Sequence, residues 1–427
     1  MTQYFGTDGI RGVYGETLTL AMAYHIGRAL KLVFKVDEAF IASDTRASKD
    51  ALKQALAAGA ASQGVTLYDA GILPTPALAL YAEQHRCVTI MVTASHNPYT
   101  DNGIKIFDRG AKLTQATELD IEALFQDPAP DTLEMALETT NVVEAFYHAR
   151  FSAFQASSLT VTLDCANGAL YALGPRYLSP HVAHCQSLHT QPNGKNINLN
   201  CGSTHLESLI EAMKTRPTDV GFAFDGDGDR VLAVDAEGRV YTGDHLIYVL
   251  AKHYHSLGQL PHNSIALTVM SNPGILASYQ KEGIDVVQTP VGDKHISAAI
   301  KNEGLALGGE ASGHIIDKHY GMTGDGLYIA HKIIAIMHHS NQTLAELTST
   351  LTFYPEMLTN HRHLDPAALE KEAFQKRLKQ HRNDFGDEGT ILVRKSGTES
   401  LVRLYVSHRN EARMHAVHQE LLQALTE

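Results

Sequence analysis

Short apolar runs recur along this chain, and each ends in a polar loop followed by a helix-like stretch. The runs are Ala39–Ser43, Cys87–Thr93, Leu159–Leu163, Val220–Phe224 and Ser264–Val269. Apolar runs of this length, bounded by turn residues, are typical of buried strands, and their alternation with helices is typical of α/β units. Ligands of open α/β sheets bind beyond the carboxyl ends of the strands, so chemistry is expected in the loops that follow these runs.

The organisation changes towards the end of the chain. In the first unit, Ser48 is a candidate N-cap for a helix that reaches Gln63, with Gly64 at the stop position. Near the C-terminus, Pro366–Arg382 predicts a helix and Gly389–Val393 a strand, followed by a polar loop and another strand. We therefore predict three α/β domains and a smaller C-terminal α+β domain, with boundaries at 1–154, 155–254, 255–360 and 361–427.

The composition excludes several classes of protein. With 427 residues, 44% apolar and 19% charged, the chain is globular in composition. Its 35 basic and 47 acidic residues give a net charge of −12, which disfavours binding to nucleic acid or anionic lipid. No apolar stretch approaches the roughly 20 residues that cross a bilayer, and the first residues lack the basic and apolar regions of a secretory signal, so none is expected. The four cysteines have neither CxxC pairing nor metal-ligand spacing, so we expect unpaired thiols in a cytoplasmic protein.

The strongest local signal is an acidic segment directly after the fourth apolar run. Asp225, Asp227 and Asp229 alternate with glycines, and in an extended segment such side chains point to the same side. Three converging carboxylates repel each other unless a cation lies between them, and all-oxygen ligands favour Mg²⁺ or Ca²⁺. An EF-hand loop is excluded, because its glycine and glutamate positions hold Arg230 and Ala236. A plain acidic turn remains the alternative.

A second signal follows the run Cys87–Thr93, where Ser95 stands at the tip of a predicted strand, before a proline-stopped turn. Taken alone, a serine that caps a turn is the simpler interpretation. The chain has no GxSxG elbow and no assignable triad, so acyl transfer is poorly supported. A serine close to a Mg²⁺ site instead favours phosphoryl transfer, with Ser95 carrying the phosphate.

Three further loops have the composition of ligand sites. The segment Arg394–Ser400 combines hydroxyls, a glycine and cations, as a phosphate cradle does. The segment Gly308–His314 combines small residues with groups that can hydrogen-bond sugar hydroxyls, and the glycines of Phe5–Gly12 could fold Arg11 towards a phosphate. Each is equally compatible with an ordinary glycine-containing turn. Walker and GxGxxG motifs are absent from the sequence, so nucleotide binding has no support from its usual loops.

In content and order, these five loops resemble the α-D-phosphohexomutase superfamily along the whole chain. The resemblance implies four domains around a central cleft: three related α/β domains and a smaller C-terminal α+β domain. Within the superfamily, the segments Pro192–Asn198, Cys201–His205 and Thr323–Gly326 resemble the bacterial branch that acts on glucosamine phosphates. One departure is Thr93, which stands where serine is more usual.

The resemblance also implies roles for individual residues. Ser95 matches the serine that must be phosphorylated, and its phosphate would share one Mg²⁺ per active site with Asp225, Asp227 and Asp229. Basic positions near the phosphoserine are matched by Arg11, His96, Lys105 and Arg230, of which Lys105 is the candidate general acid or base. Contacts to the sugar and to its non-reacting phosphate are matched by Glu310, Ser312, His314, Arg394, Ser396, Gly397, Thr398 and Arg403.

The implied reaction interconverts glucosamine 6-phosphate and glucosamine 1-phosphate through a phosphoserine enzyme and a sugar 1,6-bisphosphate. That bisphosphate would serve as intermediate or activator, and the product would feed UDP-N-acetylglucosamine and cell-wall precursor synthesis. The expected partners are small phosphosugars and, in the assembly, a second copy of the chain; nucleic acid and membrane are not expected.

Three alternatives remain at this stage. The chain could be a mutase for mannose or glucose phosphates. It could be a metal-dependent sugar phosphatase, in which water takes the phosphoryl group from Ser95. It could also be an inactive phosphosugar-binding regulator, although the intact Ser95 and three aspartates argue against that.

Overall fold

The computed structural model describes residues 2–6, 8–362, 364, 366–395 and 401–426. The chain forms two units, of which the first comprises Met1–Thr268 with Val287–Thr348 and the second Val269–Val286 with Ser349–Glu427. Within the described part of the chain, no helix combines the length and the apolar character needed to span a bilayer.

The first sheet of the first unit has eight strands in the order β1-β2-β6-β5-β3-β4-β8, with β7 paired to β6. Its strands are β1 Phe5–Gly6, β2 Gly9–Val13, β3 Glu38–Ser43, β4 Thr66–Ile72, β5 Val88–Val92, β6 Asp101–Asp108, β7 Ala111–Lys112 and β8 Glu138–Thr139. Strand β3 runs parallel to β4 and β5, whereas β6 runs antiparallel to β5 and β2. Its helices are α1 Leu20–Leu32, α2 Lys49–Ala61, α3 Thr75–His85, α4 Gln115–Ala123 and α5 Val142–Ala149.

Helices α1 and α2 approach closely because each has a glycine at the crossing. A methyl group built on Gly27 would lie 2.0 Å from the carbonyl oxygen of Leu56, and one built on Gly59 would lie 1.8 Å from that of Tyr24. These backbone contacts close one side of the core formed by β3, β5 and the two helices.

The second sheet has the order β10-β9-β11-β12-β13 and the third the order β15-β14-β16-β17. Their strands are β9 Thr160–Asp164, β10 His184–Leu188, β11 Val220–Phe224, β12 Val231–Asp235, β13 Val240–Tyr241, β14 Ser264–Thr268, β15 Asp285–Thr289, β16 Leu307–Gly309 and β17 Ile315–Asp317. Parallel pairing joins β9 to β10 and β11, and β14 to β16. The helices along this part of the chain are α6 Leu173–Leu178, α7 Glu207–Thr215, α8 Gly243–Ser256, α9 Pro273–Lys281, α10 Asp293–Asn302, α11 Gly326–Ser340 and α12 Leu344–Leu347.

The second unit contains α9 and a three-stranded antiparallel sheet in the order β18-β20-β19. Its strands are β18 Glu356–His361, β19 Gly389–Lys395 and β20 Val402–His408, and its later helices are α13 Glu372–Phe385 and α14 Glu411–Thr426. The side chains of Phe374, Leu378, Leu404 and Leu421 form the centre of its own core. This is the α+β arrangement predicted for the end of the chain.

The predicted strands lie within one or two residues of β3, β5, β9, β11 and β14. Two helix predictions need correction. Ser48 does precede α2, but its hydroxyl accepts a hydrogen bond from Asn102 instead of capping the helix. The predicted helix Pro366–Arg382 is divided into a short 3₁₀ helix and α13, because Lys371 between them has extended backbone dihedrals.

Candidate active site

The turn after β5 carries Ser95, at the tip of a strand whose five residues are all buried. Ser95 adopts a left-handed conformation with φ of 52°, which is uncommon for a non-glycine residue. The hydroxyl of Thr93 accepts the backbone N–H of Ser95 at 2.9 Å and itself donates to Asp44 at 2.6 Å. Thr93 thus provides the hydroxyl that fixes the start of this turn.

The guanidinium of Arg46 fixes the same turn through hydrogen bonds to its main chain. Arg46 is completely buried and pairs with Asp44 at 2.8 Å. It also donates to the carbonyl oxygens of Ser95, Asn97 and Asp101, at 2.9, 2.8 and 2.9 Å. The main chain of the turn is therefore fixed by a side chain that follows a different strand, β3.

The three aspartates come together at the end of β11, and their oxygens lie within 4.8 Å of one another. The predicted convergence is confirmed, but its predicted cause is wrong. The segment is not extended: the N–H of Gly228 bonds to the carbonyl of Asp225 at 3.1 Å, which makes a turn. Burial raises the pKa of Asp225 well above its ordinary value, and repulsion from Asp229 and Asp227 raises it further.

The structure joins these two loops at Ser95, whose hydroxyl donates to Asp225 at 2.6 Å. The ring of His96 lies 3.3 Å from the same hydroxyl. Burial, followed by Arg230 and Arg11, lowers the pKa of His96 to about 4, so this ring is neutral near pH 7. Both of these arginines are among the basic residues that were predicted to lie near the phosphoserine.

Lys105, on β6, reaches the acidic cluster directly. Its ammonium lies 2.7 Å from Asp227 and 2.9 Å from Asp229. Burial opposes the charge of Lys105, but the carboxylates around it outweigh burial and raise its pKa well above the ordinary value. Lys105 is therefore held as an ammonium ion, which is a poor base because it already carries its proton and a weak acid because its pKa is high.

Asp8, Lys112 and Asp293, which the sequence analysis did not single out, complete a closed ring of ionisable side chains. Asp8 lies 2.8 Å from Lys105 and 2.5 Å from Lys112, and Lys112 also contacts Asp293. In order, the charge ring consists of Asp229, His314, Asp293, Lys112, Asp8 and Lys105. Asp8 could have been suggested by its position three residues before Arg11, whereas Lys112 and Asp293 lie outside the five loops.

The loop between β16 and β17 carries Glu310 and His314, and His314 belongs to the charge ring. His314 lies 3.7 Å from Asp229 and pairs through its backbone with Arg230. Burial lowers the pKa of His314, but the nearby Asp229 carboxylate, with a contribution from Asp293, outweighs burial, and the net shift is upward. Glu310 accepts the backbone N–H of Gly292 at 3.0 Å, while Ser312 is exposed.

Near Ser95 lie two of the remaining predicted cations, while the others belong to the second unit. Arg11 pairs with Asp8 at 2.8 Å, and Arg230 lies 3.8 Å from Asp229. Arg394 and Arg403 face each other across β19 and β20. The predicted contacts Ser396, Gly397 and Thr398 lie outside the described residues.

The acidic cluster suits a hard divalent cation. Two carboxylate oxygens, Oδ1 of Asp227 and Oδ1 of Asp229, are buried and have no hydrogen-bond partner among the described residues. Buried unsatisfied carboxylate oxygens are costly, and a cation between them removes that cost. The donors are all oxygens, which Mg²⁺ prefers.

Comparison with known families gives four matches in chain order. The models of the phosphoglucomutase/phosphomannomutase family match as alpha/beta/alpha domain I at residues 2–131, domain II at 140–238, domain III at 242–354 and the C-terminal domain at 358–424.

Similar proteins are found among curated sequences and solved structures. A phosphoglucosamine mutase of Desulforudis audaxviator is 38% identical over 100% of this chain and 98% of its own length. One of Bacillus cytotoxicus is 39% identical over 95% and 94%. A phosphoglucomutase/phosphomannomutase family protein from Burkholderia thailandensis has a TM-score of 0.83 at 25% identity, covering 100% of this chain and 98% of that one. An N-acetylphosphoglucosamine mutase of Aspergillus fumigatus, at 18% identity over 99% and 95%, shares the fold with a TM-score of 0.67.

Proposed function

This chain belongs to the phosphoglucomutase/phosphomannomutase family, and from that premise we propose that it interconverts glucosamine 6-phosphate and glucosamine 1-phosphate. Family membership gives three α/β domains, a C-terminal domain and a phosphohexomutase activity. The curated relatives that match along nearly the whole chain are phosphoglucosamine mutases, which supports the glucosamine substrate. The observation that carries the mechanism is the 2.6 Å contact between Ser95 and the acidic cluster.

Ser95 would hold the phosphoryl group between substrates. In the first half-reaction, the bond between phosphorus and Oγ of Ser95 breaks as the free sugar hydroxyl attacks, which gives the 1,6-bisphosphate. In the second, the phosphoryl group at the other end of the sugar returns to Ser95. Because Ser95 is completely buried, a phosphate on it would be sheltered from bulk water, which favours a mutase over a phosphatase.

Asp225, Asp227 and Asp229, with an oxygen of the Ser95 phosphate, would hold one Mg²⁺. When bound, Mg²⁺ neutralises charge on a transferring phosphoryl group. Around it, Arg11 and Arg230 supply fixed positive charge. Lys105 stays our candidate general acid or base, but the raised pKa that holds it as an ammonium ion disfavours proton release near pH 7, so in this form it supplies fixed positive charge.

The second unit would hold the phosphate that does not react. Arg394 and Arg403 stand opposite each other on β19 and β20, so both side chains belong to one face of the sheet. Two guanidinium groups on one face are suited to hydrogen-bond an anionic phosphate. Glu310, Ser312 and His314 remain the proposed sugar contacts in the first unit.

The predicted domain boundaries, a homodimeric assembly, a cytoplasmic location and activation by a sugar 1,6-bisphosphate remain proposals. A mutase for mannose or glucose phosphates is the nearest alternative, since those enzymes share the family models. Turnover measured side by side on glucosamine, glucose and mannose 1-phosphates separates the three substrates.

A direct test combines intact mass with turnover. We expect the active protein to be heavier by one phosphate, and Ser95→Ala to lack that phosphate and to lose at least about 10³-fold of its isomerase turnover. Ser62→Ala, at an exposed serine at the end of α2, serves as the matched control and should keep both properties.

Two outcomes would contradict the proposal. Substantial isomerisation by Ser95→Ala would remove the phosphoserine step. Release of inorganic phosphate without isomerisation would favour the sugar phosphatase.

A further inference from the structure

A second group of metal-ligating side chains lies apart from the three aspartates. Asp164 ends β9, His189 directly follows β10, and Cys201 precedes a short 3₁₀ helix, Gly202–Thr204. One potential ligand atom from each lies within 4.8 Å of the others. Their separation along the chain explains why cysteine spacing gave no sign of this group.

The group is mostly enclosed and open at one edge. Asp164 and Cys201 are fully buried, while the side chain of His189 is 27% exposed. Nε2 of His189 lies 3.8 Å from the carboxylate of Asp164 and 3.0 Å from the hydroxyl of Ser208. The same carboxylate oxygen accepts the backbone N–H of Gly202 at 2.9 Å. An ion could therefore enter from solvent on the side of His189 and reach the two buried ligands, Asp164 and Cys201.

We propose that Asp164, His189 and Cys201 form a binding site for a zinc-class divalent ion. A thiolate, an imidazole and a carboxylate together are the donors that Zn²⁺ takes and Mg²⁺ does not. The all-oxygen cluster at Asp225, Asp227 and Asp229 has the opposite preference. One chain would thus separate a borderline-soft ion from a hard one by the chemistry of its ligands.

Binding has a defined proton balance. Burial raises the pKa of Cys201 to about 12, with a further contribution from Asp164, so the empty site contains a neutral thiol. Formation of the bond between sulfur and the metal releases that proton to solvent. With bonds of about 2.0 to 2.3 Å, ligand atoms of a tetrahedral site lie roughly 3 to 4 Å apart. The three atoms here lie within 4.8 Å of one another, so movements of roughly 1 to 2 Å are sufficient to close the group.

An ion in this site would stabilise the segment that supports the active-site turn. Three residues before Cys201, the amide of Asn198 donates to the carbonyl oxygens of Ser95 and Asn97, at 2.8 and 3.1 Å. On the other side, a methyl group built on Gly202 would lie 2.5 Å from the carbonyl oxygen of Phe224, the last residue of β11. The ion would therefore fix a segment packed between Ser95 and the first aspartate of the acidic cluster.

Cobalt is a suitable probe, because a thiolate bound to Co²⁺ gives a charge-transfer absorption that carboxylates do not. The full-length, metal-stripped protein is titrated with Co²⁺ in excess Mg²⁺, which occupies the all-oxygen cluster. We expect about one Co²⁺ per chain with the thiolate absorption, and its displacement by Zn²⁺.

Matched variants test the ligands individually. Cys201→Ser should abolish the absorption, and His189→Asn should weaken Co²⁺ binding more than about tenfold. Asparagine is chosen because position 189 has φ of 51°, which it tolerates, and the site is partly exposed, so this variant should fold. Cys165→Ser, at a buried cysteine outside the group, should leave the absorption intact.

The proposal is overturned if the wild-type protein shows no thiolate absorption. It is equally overturned if Cys201→Ser keeps the absorption, or if His189→Asn binds Co²⁺ as tightly as the wild type. None of these outcomes depends on isomerase activity, so failure here leaves the proposed function untouched.

Discussion

Arg46 shows how much one buried side chain can determine at the residue scale. Its guanidinium is completely buried, paired with Asp44, and hydrogen-bonded to carbonyl oxygens of the turn that carries Ser95. A buried charge is tolerated only when its hydrogen bonds are satisfied, and here both members of the pair satisfy backbone or hydroxyl groups of the site. Stability and the geometry of the serine therefore depend on the same interaction.

We expect Arg46→Met to reduce the free energy of unfolding by about 3–5 kcal/mol, because Asp44 is left as an unpaired buried charge. Urea unfolding measures the change in the free energy of unfolding, and the phosphate content of Ser95 is determined for the same variant. Arg176→Met is the control: its ion pair with Glu144 is half exposed, so the change should be about 1 kcal/mol or less. Equal effects of the two substitutions would contradict the role assigned to Arg46.

Single residues also mark the limit of prediction from the sequence. Ser95 and the three aspartates were predicted because each follows a buried strand and belongs to a distinctive motif. Asp8, Lys112 and Asp293 were not, because their importance arises only when distant strands bring them together in the charge ring. Opposite charges that meet across a fold leave no periodic or local pattern in the chain.

The structure matches the sequence best at the scale of elements, wherever hydrophobicity alone decides. The strands β5 and β11 are buried along their whole length, so an uninterrupted apolar run was sufficient to find them. The sequence was misleading where a side chain had two possible partners. Ser48 could cap α2 or accept from Asn102, and only the packed structure decides between them.

Helix α11 carries a buried histidine that makes stability sensitive to acid. His331 stacks on Phe154 with ring centroids 4.4 Å apart, and its Nε2 has no hydrogen-bond partner among the described residues. Burial lowers its pKa to about 3, and His181 adds to this shift. Below pH 6.5 the unfolded chain binds a proton that the folded chain does not, so stability is lost as the pH falls from 6.5 towards 3.

Substitution of His331 by phenylalanine should remove this component. Between pH 7.5 and pH 5, the wild type should lose about 2 kcal/mol more of its unfolding free energy than His331→Phe, as measured by urea unfolding at both values. His339→Gln, at an exposed position on the same helix, should follow the wild type. Identical pH dependence in His331→Phe and the wild type would refute this assignment.

At the scale of the whole molecule, the net charge of −12 predicts repulsion of large polyanions but not of small ones. The reason is local. Arg11, Lys105, Lys112 and Arg230 all lie near the acidic cluster in the first unit, and three of the four contact its aspartates or Asp8 at short distance. Composition disfavours a nucleic-acid partner, but it could not locate these four cations, which are paired with carboxylates.

Stability of the whole protein should also report on the hard cation. Mg²⁺ that binds only the folded chain should raise the free energy of unfolding by about 2.7 kcal/mol at a hundred times its Kd. Thermal unfolding in Mg²⁺ and in EDTA measures this difference. Asp227→Asn should lose most of the response, whereas Asp235→Asn, at a buried aspartate paired with Arg239 outside the cluster, should keep it. Equal responses of the two variants would count against the metal site.

The way in which Arg46 holds the turn after β5 has an evolutionary consequence. It contacts main-chain carbonyl groups, and every residue type presents the same carbonyl. The side chains of Tyr99 and Thr100 are exposed and take no part in the hydrogen bonds that Arg46 donates. Homologous chains can therefore accumulate changes at these two positions by neutral drift while the loop keeps its shape, and selection should act instead on Asp44, Arg46 and Asn198.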